Sequence, residues 1–216
     1  MKTLVSVISI FAFATLLCAQ SPDVLKAKAI LDKVAEKTKT YSTIRADFSI
    51  TLENKQANIT DTYQGKIILK GNKYKAEIMN TETFYDGKTI WSYLPDANEV
   101  NVSDPSMMED ELLDPASIFT IYDKNFKYIY AGETSINGKK ADIVDLFPEN
   151  RDKPYSRIKV YVYKDNLQFA KLVQIGKDGN NYIIDIKKME INVPADDSMF
   201  KFDETKHPGV EVIDMR

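Results

Sequence analysis

The chain has 216 residues, with 44% apolar and 28% charged residues and Gly and Pro at 8 each; this excludes disorder and collagen-like or low-complexity bias and suffices for one buried core. Lys and Arg number 29 against 32 Asp and Glu, a net charge of −3 without the basic excess of a nucleic-acid-binding surface, so nucleic acid is not an expected partner. One Cys and one His leave almost no room for soft-metal sites or Cys/His catalysis, and no cofactor is expected.

Met1 and Lys2 precede an apolar run over residues 4–17, followed by Cys18-Ala19-Gln20-Ser21-Pro22, the charged, apolar and small-residue layout of a secretory signal. The run falls short of the roughly 20 apolar residues of a spanning helix. A lipid-modified Cys18 would want a small residue before it, and Leu17 is not small. Residues 1–19 are therefore expected to be a signal peptide cleaved after Ala19, taking Cys18 with it. Residues 20–216 would then be a single thiol-free domain, suited to an oxidising extracytoplasmic compartment.

Ser21-Pro22 reads as an N-cap with Pro at the first helical position, and Val24, Ala27, Ile30, Leu31, Val34 and Ala35 recur at helical spacing, which predicts an amphipathic helix. From Thr43 the period changes to two: Ile44, Ala46, Phe48, Ile50 and Leu52 alternate with polar residues, and similar alternation follows in Tyr63, Gly65, Ile67 and Leu69 and in Tyr74, Ala76 and Ile78. Gly71-Asn72 and Asp86-Gly87 read as hairpin turns, the second leading into Ile90-Trp91-Ser92-Tyr93, and Pro95-Asp96-Ala97-Asn98 turns the chain into 99–102. Residues 103–124 break the pattern, with Asp114-Pro115 reading as the cap of a short helix through Ile118, Phe119 and Tyr122. Strand signals resume at 126–130, 142–147, 156–163, 167–176 and 182–189, separated by Asn137-Gly138, Asp165-Asn166 and Asp178-Gly179. The expected architecture is mainly β, one meander of about ten or eleven antiparallel strands in a curved sheet with a few helices.

Candidates for chemistry are sparse. His207 precedes Pro208 near the C-terminus and reads as a loop residue. Glu109-Asp110-Glu111 and Asp196-Asp197 lack the alternating oxygen-ligand spacing of a calcium loop and read as solvated charge. No Gly-x-Ser-x-Gly elbow and no phosphate-cradling loop is present, so no enzyme activity is expected, although a glycosidase-type carboxylate pair stays formally open.

The segment Asp86-Gly87-Lys88-Thr89-Ile90-Trp91-Ser92-Tyr93-Leu94-Pro95, with Glu99-Val100 after it, resembles the central signature of the periplasmic outer-membrane lipoprotein carriers, the LolA-type family. The resemblance continues upstream in Ile44-Arg45-Ala46-Asp47-Phe48 and in Gly65-Lys66-Ile67-Ile68-Leu69-Lys70-Gly71. Downstream it takes in Asp114-Pro115, then Phe200-Lys201-Phe202, and ends with Pro208-Gly209-Val210-Glu211-Val212-Ile213-Asp214, so it runs in matching order over 22–216. It implies a half-open antiparallel barrel of about eleven strands whose apolar concave face is covered by helices. It also implies a periplasmic chaperone that takes lipoprotein acyl chains from an inner-membrane releasing complex to an outer-membrane acceptor, working as a monomer. One departure stands out: familiar members carry Arg-Pro at the turn entering the third strand, where the Arg helps to hold the helical lid, and Gly71-Asn72 stands here, leaving Arg45 or Lys70 as substitutes.

An acyl chain offers only methylenes, each contributing about 0.8 kcal/mol on burial, so a carrier needs an apolar cavity and no catalytic group. The expected cavity residues are Phe48, Ile50, Ile67, Leu69, Tyr74, Ala76, Ile78, Trp91 and Tyr93, and the expected lid residues are Leu31, Val34, Leu112, Leu113, Ile118 and Phe119. Every one of them is also what an ordinary sheet core would use. Two other binding functions stay open on the same half-barrel. One is a module that senses lipids or lipoproteins, expected to need a second domain for which 216 residues leave no room. The other is a carrier of a different lipid, such as a glycolipid or pigment precursor.

Overall fold

In a computed structural model, residues 21–108 and 125–216 are described. The proposed signal peptide with Cys18, the carboxylates 109–111 and the four expected lid residues Leu112, Leu113, Ile118 and Phe119 lie outside the described residues.

Helix α1, Pro22–Lys39, begins where the capping signal places it: the Ser21 side chain accepts from the Val24 backbone N–H, Pro22 needs no N–H partner at its position, and Asp23 and Lys37/Lys39 complement the helix dipole. Its buried residues are Ala27, Leu31, Val34 and Ala35, one stripe of the predicted pattern. Among the described residues no helix is long and apolar enough to cross a membrane.

The strands form one curved, unclosed sheet. The first six are β1 (Ile44–Asn54), β2 (Ile59–Lys70), β3 (Lys73–Ile78), β4 (Thr81–Tyr85), β5 (Ile90–Leu94) and β6 (Glu99–Ser103). After them come β7 (Phe126–Ile136), β8 (Lys139–Pro148), β9 (Tyr155–Tyr163), β10 (Phe169–Gly176), β11 (Asn181–Ile191) and β12 (Glu211–Asp214). The order across the sheet is β12-β6-β5-β4-β3-β2-β1-β11-β10-β9-β8-β7. The expected single meander is thus corrected to two, β1–β6 and β7–β11, closed on each other by the antiparallel pair β1–β11. Hairpin turns dictate only which consecutive strands pair, and β11 lies on the side of β1 that β2 leaves free.

Two strands escaped the sequence reading. Strand β4 is entered through Met79 and Asn80, both with positive φ, a turn whose Met-Asn sequence carries no hairpin signal, unlike Asn137-Gly138 with the same geometry. Strand β12 pairs in parallel with β6, from Glu211 opposite Glu99 to Asp214 opposite Val102. It is reached by a strap, residues 192–210, that leaves the sheet beside β1 and re-enters at its far edge.

Register sorts side chains onto two faces. On the inner face, which carries α1, Ile44, Leu69, Tyr74 and Tyr85 stand in one row, Ala46, Ile67 and Ala76 in the next, and Phe48, Gly65 and Ile78 in a third. These join Leu31 and Val34 of α1 and Val144, Leu146, Ile158, Val160, Leu172, Ile184 and Ile186 in one continuous core. The outer face of β8–β11 is charged, with Asp145 opposite Lys159 and Lys171 opposite Asp185, pairs of 3.2 and 3.3 Å. The outer face of β4–β6 is apolar and lies beneath the strap.

Candidate functional site

The inner face gathers seven of the nine expected cavity residues. Phe48, Ile50, Ile67, Leu69, Tyr74 and Ala76 are buried members of the inner core and Ile78 packs against it. Strand β1 supplies Phe48 and Ile50, whose alternation brings both to this side, and cross-strand pairing places Phe48 over Gly65, where no side chain intervenes. Tyr74 and Tyr85 meet across β3 and β4 with ring centroids 5.4 Å apart.

Trp91 and Tyr93 go elsewhere. Pairing of Phe84 with Trp91 and of Tyr93 with Val100 sets them on the outer face, where Phe84, Tyr93, Val100 and Phe202 form a second core with Trp91 and Val210 against it. The strap closes this core: Phe202 stacks on His207 at 4.6 Å, and both rings meet Tyr93, at 5.2 and 4.3 Å. His207 lies in a loop, as expected, and there takes part in an aromatic cluster. Trp91 and Tyr93 cannot share a cavity with Phe48 and Ile67, because the sheet lies between them.

The strap is also where the residues weighed as lid latches turn up. Lys70 donates to the Ala195 carbonyl at 2.9 Å and pairs with Asp197 at 2.8 Å, and Lys73 pairs with the same carboxylate at 2.7 Å. Hydrogen bonds from Lys70 first and Lys73 second, with their charge, hold the Asp197 carboxyl at about 2. Asp197 is thus solvated charge, as expected, that also ties the strap to Lys70 and Lys73. Arg45 stands in register with Ile68 and Glu190, alternate to Ile44 and Ala46, and also faces outward. Neither Arg45 nor Lys70 is on the side of α1, so neither can take the family arginine's part in holding a lid.

Besides the buried stripe, polar contacts tie α1 to the inner face at its two ends. Lys26 sits 3.6 Å from the centroid of the Tyr130 ring on β7, whose hydroxyl donates to Asp142 at 3.2 Å. Lys37 donates to the Asn166 carbonyl at 2.8 Å, and Ser42, just past the helix, donates to Asn192 Oδ1. Burial raises the Tyr41 hydroxyl above its ordinary pKa, partly offset by a hydrogen bond with Gln168. Between these points an open groove of about 400 Å³ runs along α1 beside Tyr128, lined mostly by Lys28, Asp32, Glu36 and Lys39, so its walls are charged and unsuited to methylenes. Two residues before Tyr128 on the same strand, Phe126 stacks on Tyr155 of β9 with ring centroids 6.5 Å apart, and burial raises the Tyr155 hydroxyl. Among the described residues no three His, Cys, Asp or Glu side chains gather as a metal site.

An unclosed antiparallel sheet with an apolar inner face beneath an amphipathic helix defines a half-barrel class of protein. The profile of the family described as outer membrane lipoprotein carrier protein LolA matches residues 17–167, and the chain belongs to that family. Solved structures share the fold, two of them as follows. An uncharacterized conserved protein from Thermus thermophilus is 12% identical, with a TM-score of 0.58 and coverage of 88% of this chain and 99% of that one. A DUF1329-family protein from Desulfovibrio piger is 16% identical, with a TM-score of 0.51 and coverage of 84% and 98%. A LolA-superfamily protein from Nitrosomonas europaea is 13% identical over 82% of this chain and 98% of its own, with a TM-score of 0.45. Comparison with curated proteins gives no match.

Proposed function

We propose that the chain is a periplasmic carrier, exported by a signal peptide cleaved after Ala19, that holds the acyl chains of lipoproteins against the inner face of its sheet. It would receive them from a releasing complex in the inner membrane and pass them, as a monomer, to an outer-membrane acceptor. The observation that carries this reading is the convergence of the apolar rows of β1, β2 and β3 with the buried stripe of α1 in one cluster, in a member of the LolA family. Burial of methylenes supplies most of the affinity, and binding involves no chemical step. Release requires that the cover be movable, and α1 is tied by polar contacts at its ends rather than by a second sheet.

A photo-crosslinker placed at Ile67 or Ile78 is expected to capture acylated lipoprotein in cells, whereas one at Lys66, or at Trp91 beneath the strap, is expected to capture none. Equal capture from the two faces, or capture confined to the outer one, would refute the assignment.

A further inference from the structure

One polar side chain in the inner face has no structural explanation. Gln174 on β10 is 3% exposed, and its amide nitrogen Nε2 has no hydrogen-bond partner among the described residues. It stands in register between Tyr182 of β11 and Ile158 of β9, on the side of Leu172 and Ile184 and opposite to the outward Lys171. Asp142, also buried on this face, is by contrast met by the Tyr130 hydroxyl at 3.2 Å and by Lys164 at 3.5 Å. A buried N–H without an acceptor is a standing penalty that disappears when an acceptor arrives.

We infer that Gln174 is the polar anchor of the ligand site, donating from Nε2 to the carbonyl oxygen that ends an acyl chain. The inference rests on the acyl-carrier reading and adds to it the one group of the cargo that is not a methylene. Methylenes offer no acceptor, whereas the ester or amide carbonyl at the head of each chain does. The position fits that role. Gln174 lies close to the rim where β10 turns into β11, and its row continues across Tyr182 to Leu52 of β1. From Leu52 inward to Ile44 the inner face of β1 runs for about 27 Å of strand, room for a long chain laid along Ile50 and Phe48 with its carbonyl left at the Gln174 row. A donor there reads the depth of insertion: a chain pushed too far or too little leaves both amide and carbonyl unpaired, so the site prefers an acyl group to an alkyl group of equal length.

The test compares two probes of equal chain length bound to the purified protein: a synthetic lipopeptide carrying a diacylglyceryl cysteine, and its counterpart in which both ester linkages are ethers. The wild type is expected to favour the ester by about three- to tenfold. Gln174→Leu is expected to bring the ratio to about one while raising the Tm of the unliganded protein, because an unmade donor has been removed. Gln174→Met, which keeps the side chain's length, should behave alike and serves if the branched residue does not fit. A wild-type ratio of one, a preference that survives both substitutions, or a lowered Tm in both variants would overturn the assignment of Gln174 while leaving lipid binding intact. Failure of the wild type to bind either probe would instead overturn the acyl-carrier reading itself and the anchor with it.

Discussion

Gly65 shows how one missing side chain shapes the inner face. A Cβ at this position would fall 2.6 Å from Cε2 and Cζ of Phe48 and 3.3 Å from the Glu77 carbonyl oxygen, so the Phe48 ring lies directly over the backbone of β2. Gly65→Ala is expected to destabilise the protein by about 1–3 kcal/mol, since overpacking outweighs the smaller gain from restricting the unfolded chain. In a urea-unfolding double-mutant cycle, Phe48→Leu should remove most of that loss by clearing the ring from the contact. Additive effects would mean that Gly65 is required for its backbone and not for the ring. The alternation of apolar residues made Phe48 legible as inward-facing. The same reasoning failed for Trp91 and Tyr93, because alternation distinguishes faces only where one is wet, and β5 is apolar on both: Ile90 on one side, Trp91 and Tyr93 on the other. Gln174 gave no signal, since a glutamine among apolar neighbours in a strand does not declare whether it is exposed.

At the scale of elements the strap is the part least visible in sequence. Its partners lie more than a hundred residues away in the chain, as with Lys70 and Asp197 or Tyr93 and His207, and local periodicity does not report such distances. Phe202 is the keystone, buried between Phe84, edge-on at 5.7 Å, Tyr93 and His207. Phe202→Ala is expected to lower stability by about 3–5 kcal/mol in urea unfolding, and to free β12 from β6 before the rest of the sheet yields. The clamp at the strap's other end carries a pH signature. Asp197 titrates near 2 when folded against an ordinary 3.8, so its contribution is complete above about pH 4 and disappears as the pH falls through 2. Asp197→Asn should therefore flatten the dependence of the urea midpoint between pH 4 and pH 2, and an unchanged slope would show that other carboxylates govern it. By contrast α1 was legible nearly to its ends, because capping, Pro placement and the apolar stripe are all local.

For the whole molecule, the pairing of β1 with β11 decides how stability is distributed. These two strands pair at ten positions, from Ile44 with Ile191 to Glu53 with Asn181, and each has a further neighbour on its other side, whereas β12 is a four-residue edge strand. This closure was not legible, since nothing in a run of hairpins says that the last strand of the second meander returns to the first strand of the first. It implies an order of opening that hydrogen exchange can read. Amides of β1 and β11 should exchange only through global unfolding, while those of β12 exchange through local release of the strap. A ligand held on the inner face must then protect selectively. A diacylated lipopeptide at a hundredfold excess over its Kd should slow every globally exchanging amide, those of β1 and β11 included, by an amount equivalent to about 2.7 kcal/mol, and slow α1 as its cover. Amides of β12 should be unaffected, because releasing the strap uncovers only the outer face and leaves the ligand in place. Protection of β12 with no change in α1 would place the lipid under the strap, beside Trp91 and Tyr93, and the inner face would then be core alone.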